Sequence, residues 1–283
     1  MRKIHYPLIV SDFDGTLVSD GGSISAENKR AITEYVASGG AFAISTGRMP
    51  SGIISRAKEL GLSGLVSCCQ GAVILDIDTK EIVLEGRIPL DVTVSVCEKM
   101  EKMGLHIHVY DLWEYYSNMD DELLQYYEKT VGAKAVVVLD KPISQFVKEN
   151  GICAYKILAM VQPEDNQRVL ETLAKENFDG CCLTRSADIL VEVVNTRFSK
   201  GTAVEFLAKH YGVPVDKTVA VGDQLNDVPM IDAAGLGIAV SNADNGLKSK
   251  ADYVCEYSNG ENAIAEIIRK FGFTTNEKIN DRE

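Results

Sequence analysis

Two carboxylates stand directly after a short apolar run near the start of this chain. The run Leu8-Ile9-Val10 is typical of a strand buried in a parallel sheet, and Asp12 and Asp14 follow within DFDGT. An unpaired carboxylate in an apolar interior would be strongly destabilising or would become protonated. A cation, a set of hydrogen-bond donors or solvent must therefore meet both acids where the strand ends.

The periodicity of the apolar residues predicts two kinds of structure along the chain. Up to about residue 84, and again after Asn195, short apolar strands alternate with amphipathic helices, which is typical of a parallel sheet covered by helices. Between these segments adjacent strands occur without intervening helices, which indicates an antiparallel sheet. We predict an α/β fold in which a parallel-sheet core, 1–84 and 190–283, is interrupted by an inserted α+β domain, 85–189.

Four clusters of polar residues fall at the ends of predicted core strands or at the start of a core helix. They are Asp12-Phe13-Asp14-Gly15-Thr16, Ser45-Thr46-Gly47-Arg48, Ser199-Lys200-Gly201 and Gly222-Asp223-Gln224-Leu225-Asn226-Asp227. The tips of parallel strands meet at one edge of a sheet, where open α/β sheets bind ligands. We therefore expect the clusters to converge there, with the inserted domain lying over them.

The residue types in these clusters suit a metal ion beside a phosphate. Carboxylate oxygens are hard ligands that Mg²⁺ prefers, and four are available: Asp12, Asp14, Asp223 and Asp227. A hydroxyl and two cations that suit a phosphoryl group come from Thr46, Lys200 and Arg48.

Each cluster also has a structural explanation when it is taken alone. The two acids after the first strand could form an Asx turn or a calcium loop, although Gly15 comes too early for the EF-hand spacing. The acids of the last cluster could cap a helix, and Lys200 could be an ordinary solvated lysine. The occurrence of all four clusters, in this order and on matching elements, favours a shared site.

Together, DFDGT, STGR, SKG and GDQLND make the chain resemble the haloacid dehalogenase (HAD) superfamily of phosphotransferases. Within it, the chain resembles the Cof-like, type IIB phosphatases, which carry a large α/β cap inserted before the third motif. The resemblance extends from Leu8 to about Phe271. It implies an HAD-like Rossmannoid core, an α+β cap that determines specificity, Mg²⁺ as cofactor, and hydrolysis of a small phosphorylated metabolite such as a sugar phosphate or pyridoxal phosphate.

The resemblance also implies a role for each motif residue. Asp12 would be the nucleophile that forms an aspartyl-phosphate, and Asp14 would be the general acid and then the base. Thr46 and Lys200 would hold the phosphoryl oxygens. The metal ligands would be Asp12, the backbone carbonyl of Asp14 and Asp223, with Asp227 orienting the ion. Further substrate contacts would come from Gly47, Arg48, Gln70 and Asn226.

Gln70 marks a departure from the family pattern. Cys69-Gln70-Gly71-Ala72 stands where the family often has Asn-Gly-Ala. Gln70 keeps an amide but adds a methylene, so we expect altered specificity before lost activity.

Two other functions would use the same residues. A phosphomutase would form the same aspartyl-phosphate but return the phosphoryl group to its substrate. A regulator could bind a phosphorylated metabolite without turnover, although the four intact clusters argue against it.

Composition limits the partners of this chain. The net charge of −12 and the lack of basic patches argue against nucleic acid and anionic membranes. The first residues lack a signal-peptide pattern, and no apolar run approaches the roughly 20 residues of a spanning helix. We expect a cytoplasmic protein, and no feature identifies a protein partner.

The cysteines, two histidines and an aromatic stretch have ordinary explanations. Seven scattered cysteines without C-x-x-C spacing fit neither a disulfide framework nor a zinc ribbon, so we expect them to be reduced and mostly buried. His106 and His108 share a face of a predicted strand, but without a third ligand at useful spacing they favour packing over zinc. The aromatic residues of 110–116 could line a substrate pocket or pack between strands.

Overall fold

The apolar run before Asp12 forms the central strand of a parallel sheet in the computed structural model, which describes residues 2–19, 22–59 and 61–274. The strands of this sheet are β1 Leu8–Ser11, β2 Ala41–Ile44, β12 Thr218–Gly222, β13 Leu236–Ala239 and β14 Tyr253–Val254. Their order is β14-β13-β12-β1-β2. The sequence also predicts a turn at Asp20-Gly21-Gly22 and a frayed polar tail over 274–283, but Asp20, Gly21 and 275–283 lie outside the described residues.

Helices alternate with these strands, which confirms the predicted α/β fold. They are α1 Ala26–Ala37, α2 Pro50–Glu59, α7 Lys200–His210, α8 Val228–Ala233, α9 Asn245–Lys248 and α10 Ala263–Ile267. The side chain of Ser25 caps α1 by accepting a hydrogen bond from the backbone N–H of Asn28. We call the five-stranded sheet and these helices the core.

The apolar segment LVSCCQGAVILD predicts one strand that runs into a hairpin, but in the structure it forms two strands joined by a tight turn. The strands are β3 Leu65–Cys68 and β4 Val73–Asp76, and β4 continues into a hairpin with β5 Ile82–Glu85. The chain reverses because Cys69, Gln70 and Gly71 all have positive φ, at 50°, 60° and 93°. The turn carries Gln70 to the carboxyl edge of the core sheet, where the backbone N–H of Gln70 donates to the carbonyl of Thr46.

The inserted region forms a second sheet, which we call the cap together with its helices. Its strands are β6 His106–Tyr110, β7 Tyr115–Ser117, β8 Val136–Val137, β9 Lys156–Met160, β10 Cys181–Ala187 and β11 Leu190–Asn195. Its helices are α3 Leu90–Lys102, α4 Glu122–Val131, α5 Ile143–Asn150 and α6 Asn166–Ala174. The strand order is β10-β11-β9-β6-β7-β8, antiparallel except for the β7–β8 pair.

The two faces of the cap sheet have different neighbours. Ile107 and Val109 of β6 pack in an apolar cluster with residues of α3, α5 and α6, so those helices cover one face. His108 and Tyr110 point to the opposite face, where the hydroxyl of Tyr110 contacts that of Tyr127 on α4. This second face is the one turned toward the core.

The domain boundaries remain a prediction, and one of them can be refined. The prediction returns the chain to the core at residue 190, but Leu190–Asn195 pairs with both β9 and β10. Apart from Glu192 the strand is apolar, and apolar runs also occur in parallel sheets, so the apolar pattern alone does not separate a cap strand from a core strand. We propose that the cap continues to Asn195.

All seven cysteines are free thiols, and Cys68, Cys69, Cys97 and Cys255 are buried. No helix within the described ranges is long and apolar enough to cross a membrane.

Candidate active site

The register of the core sheet brings the predicted clusters to one edge. Ser11, the last residue of β1, is paired with Ile44 of β2 and with Val221 of β12. The residues that follow these strands therefore emerge close together at the carboxyl edge of the sheet. The backbone N–H of Asp12 still donates to the carbonyl of Val221, at 2.9 Å, which fixes the start of the DFDGT loop.

Lys200 joins two of the clusters through a buried ion pair network. Its Nζ lies 2.5 Å from Asp12 Oδ1 and 2.5 Å from Asp227 Oδ1. Lys200 is the first residue of α7, whose start is fixed by a capping box between Ser199 and Thr202. Burial alone would lower the pKa of Lys200, but the two carboxylates outweigh it and raise that pKa. The ammonium is therefore charged.

The acids around Lys200 form a compact cluster. One oxygen from each of Asp12, Asp223 and Asp227 lies within 4.8 Å of the others. Asp227 Oδ2 accepts from the backbone N–H groups of Asp223 and Gln224, and Thr16 donates to Asp223 Oδ1 at 2.7 Å. These donors hold the carboxylates in a fixed arrangement.

The acid cluster has more acidic groups than positive charges to balance them. Burial, with the neighbouring acids, raises the pKa of Asp12 well above its ordinary value and that of Asp223 to about 6. Three buried acids face the single ammonium of Lys200. A divalent cation with oxygen preference would restore the balance, and the donor set fits such an ion.

The second strand contributes the loop Thr46-Gly47-Arg48. Thr46 is buried, and its hydroxyl accepts from the backbone N–H of Arg48 at 3.1 Å. The carbonyl of Gly47 accepts from Lys156 Nζ at 3.0 Å. A Cβ on Gly47 would come within 2.7 Å of Gln70 Nε2, so this position keeps the loop and the turn in close contact.

Arg48 and Asp14 form a bidentate ion pair. Arg48 Nε and Nη2 each donate to a carboxylate oxygen of Asp14 at 2.7 Å. The carboxylate of Asp14 thus points to Arg48, while the acid cluster is made by the other three aspartates. The predicted role of Arg48 as a phosphate ligand stays a prediction.

Gln70 links the core to the cap. Its Nε2 donates to Glu192 Oε2 at 2.9 Å, and its Oε1 accepts from Asn226 Nδ2 at 3.1 Å. A shorter asparagine in the same turn would not span both partners, so the added methylene has a structural use.

These residues surround a cavity of about 230 Å³ between core and cap. The predicted residues that line it are Asp12, Asp14, Thr46, Gly47, Arg48, Gln70, Lys200 and Asn226, whereas Asp223 and Asp227 lie behind Asp12. The cap wall was not predicted as a site, apart from Tyr110, and it includes Tyr110, Tyr127, Lys156 and Glu192.

Lys156 and Glu192 could have been predicted as site residues from the sequence. Each is a charged residue within an otherwise apolar strand, in AYKILAMV and LVEVVN. Both are buried, and their charged atoms lie 2.8 Å apart. Buried charges of this kind are rare unless paired, so two such strands indicate a buried pair.

Comparisons with known proteins agree with this geometry. Residues 9–268 match the family model described as haloacid dehalogenase-like hydrolase. Phosphatase YwpJ of Bacillus subtilis is 28% identical over 290 residues, covering 93% of this chain and 98% of that protein. The 5-amino-6-(5-phospho-D-ribitylamino)uracil phosphatase YcsE of the same organism is 29% identical over 273 residues, covering 95% and 96%. A solved haloacid dehalogenase-like hydrolase from B. subtilis has a TM-score of 0.83 at 26% identity, covering 93% of this chain and 99% of that one. The chain belongs to the haloacid dehalogenase-like hydrolase family.

Proposed function

We propose that this protein is a Mg²⁺-dependent phosphatase of small phosphorylated metabolites, such as sugar phosphates or phosphorylated cofactors like pyridoxal phosphate. The observation that carries the proposal is the Asp12 carboxylate, which lines the cavity and is held by the buried ammonium of Lys200. Two similar proteins are named as phosphatases, which supports the same chemistry.

The metal would be held by the acid cluster. Asp12, Asp223 and the backbone carbonyl of Asp14 would be its ligands, with Asp227 orienting it. Bound there, Mg²⁺ would supply positive charge against the repulsion between a carboxylate and a phosphate dianion.

Asp12 is the nucleophile in this proposal. One of its oxygens attacks phosphorus, the bond from phosphorus to the alcohol oxygen breaks, and an aspartyl-phosphate forms. Lys200 offsets negative charge on Asp12, and Thr46 donates to the phosphoryl oxygens together with nearby backbone N–H groups. Water then attacks the phosphorus and releases inorganic phosphate.

Asp14 handles the protons in both steps. It gives a proton to the departing alcohol oxygen, and in its ionised form it takes one from the attacking water. Its carboxylate also lines the cavity, as Asp12 does.

The leaving group would lie against the cap wall. Glu192 and Lys156 form an ion pair there, and on the core side of the same cavity Asn226 Oδ1 is buried without a hydrogen-bond partner among the described residues. The cavity therefore offers both donors and acceptors, which suits the hydroxyl groups of a sugar.

The direct test is phosphate release from a panel of phosphomonoesters. Glucose 6-phosphate, pyridoxal phosphate, flavin mononucleotide and adenosine monophosphate would be incubated with Mg²⁺ or with a chelator. We expect release from at least one compound, abolished by the chelator and reduced at least ~1,000-fold in Asp12→Asn, because an amide cannot act as the nucleophile.

Asp216→Asn serves as the matched control, since Asp216 is an exposed acid of the core. It should keep wild-type activity. Release that persists in Asp12→Asn would contradict the proposed nucleophile, and a folded wild type that releases nothing with Mg²⁺ would contradict the phosphatase and call for bisphosphate-primed mutase assays.

A further inference from the structure

Arg48 contacts the core and the cap at the same time. In the core, its Nε and Nη2 hold both oxygens of Asp14. Toward the cap, its Nη1 donates to the carbonyl of Val131 and its Nη2 to the carbonyl of Thr130, each at 3.0 Å. Four of the five N–H groups of the guanidinium are therefore engaged.

The cap acceptors are well suited to a cation. Thr130 and Val131 are the last two residues of α4, and helix ends present carbonyls without intrahelical partners and partial negative charge. Gly132 ends the helix in a left-handed conformation, with φ 71°, so these carbonyls face away from the helix toward Arg48. The contact forms only when the cap lies against the core.

The Asp14 carboxylate, which is the acceptor in the core, needs the contact between Arg48 and α4 to be held in one orientation. The Asp14 side chain is 51% exposed, and a half-exposed ion pair usually stabilises little unless its geometry is ideal. Here the geometry is bidentate, and the guanidinium also lies 5.4 Å from the centre of the Phe13 ring. An Arg48 side chain fixed at its far end by α4 can therefore fix the carboxylate.

We propose that Arg48 is a positioning residue that makes the orientation of Asp14 depend on the docking of helix α4. The role of Asp14 as acid and base rests on the proposed function. In this view the Asp14 carboxylate is aligned to take a proton from the attacking water when the cap is closed over substrate, and it is released when the cap opens.

Burst kinetics with p-nitrophenyl phosphate separate this role from phosphate binding. Because p-nitrophenolate leaves without protonation, its first-turnover burst reports formation of the aspartyl-phosphate, whereas full turnover also needs Asp14 as the base that activates water. For Arg48→Ala we expect about a 100-fold lower kcat with p-nitrophenyl phosphate and with glucose 6-phosphate, without a rise in KM. The first-turnover burst of p-nitrophenolate should stay within about threefold of wild type. A burst slowed as much as kcat, together with a raised KM, would assign Arg48 to the phosphate instead, and no loss of kcat would also overturn the proposal.

A substitution at Gly52 can disturb the cap side of the contact between Arg48 and the end of α4. It lies on α2, and a Cβ there would come within 3.1 Å of the Val131 carbonyl oxygen. Gly52→Val should push the end of α4 away and lower kcat for glucose 6-phosphate about 10-fold, without adding to the loss in Arg48→Ala. Ser51→Val, an exposed neighbour on the same helix, is the matched control. If the double variant lost activity by the product of the two single losses, the two substitutions would act independently, which would contradict the proposal.

A measurement without turnover separates this proposal from the proposed function. Amide hydrogen exchange in the last turn of α4 should be faster in Asp14→Ala than in the wild type, because the guanidinium loses its anchor. The same substitution should have no effect in an Arg48→Ala background. Unchanged exchange in Asp14→Ala would overturn the coupling, whereas a wild type that hydrolyses neither compound would overturn only the phosphatase.

Discussion

At the level of single residues, Lys200 is the side chain on which the acid cluster depends. Its ammonium contacts Asp12 and Asp227, and all three side chains are buried. Removing one partner from a buried ion pair leaves charge without compensation, which is strongly destabilising.

We predict that Lys200→Met lowers the free energy of unfolding by about 3 kcal/mol at pH 7 and abolishes activity. Part of that stability should return near pH 5, because the freed acids can then take up protons. Urea unfolding at both pH values measures the effect. Lys209→Met, an exposed change on the same helix, should cost little, and a loss in Lys200→Met no greater than in this control would refute the prediction.

At the level of elements, strand β6 carries a buried histidine pair toward the core-facing side of the cap. His106 Nε2 and His108 Nε2 are 3.2 Å apart, and His106 Nδ1 lies 3.4 Å from Asp121, the N-cap of α4. Burial lowers the pKa of His106, although Asp121 opposes it, and burial together with His106 and Lys156 lowers the pKa of His108 well below its usual range. Protonation of this histidine pair would therefore change the surroundings of Asp121 at the start of α4.

Proton uptake by the two histidines determines the direction in which stability changes with pH. The unfolded chain binds a proton at each histidine below pH about 6.5, whereas the folded chain resists it, so this contribution to stability is complete above that pH. It is lost as the pH falls from about 6.5 toward the folded pKa, at up to about 1.4 kcal/mol per pH unit for each histidine.

We predict that His108→Gln makes unfolding free energy fall less steeply between pH 7 and pH 5 than it does in the wild type. The comparison uses the difference between the two proteins, because the raised pKa of Asp223 acts in the opposite direction in both. Urea unfolding at half-unit intervals provides the data. Parallel curves would contradict the prediction, because they would mean that His108 takes up its proton at the same pH in the folded and the unfolded chain.

At the level of the whole molecule, an ion held by the acid cluster would couple metal binding to stability. An ion that binds the folded chain alone stabilises it by about 2.7 kcal/mol at 100 times its Kd. For a chain of this size that corresponds to a rise in Tm of about 5 °C.

We predict such a rise on adding Mg²⁺ and its reversal by a chelator, measured by thermal unfolding without any substrate. Asp223→Asn should remove most of the response because it takes one ligand from the cluster. Asp216→Asn should respond like the wild type, and an equal response in Asp223→Asn would place the ion elsewhere.

The sequence was sufficient for the core and for the residues at its edge. Strand tips in a parallel sheet converge by geometry, so Asp12 could be placed beside Asp223 without coordinates. The partners of Arg48 could not be predicted, because they are backbone carbonyls 82 and 83 residues away. The Lys156–Glu192 pair likewise depends on the register between β9 and β11, which the apolar pattern leaves open.

The glycine of DFDGT offers a last consequence, for tolerance to mutation. Gly15 has φ 79°, and a Cβ there would come within 2.4 Å of Asp223 Oδ2. Position 15 therefore needs glycine for two separate reasons. Its backbone is left-handed, and the Asp223 carboxylate occupies the space that a Cβ would fill. In a saturation library selected for activity, position 15 should tolerate no replacement, including the asparagine that many left-handed turns accept.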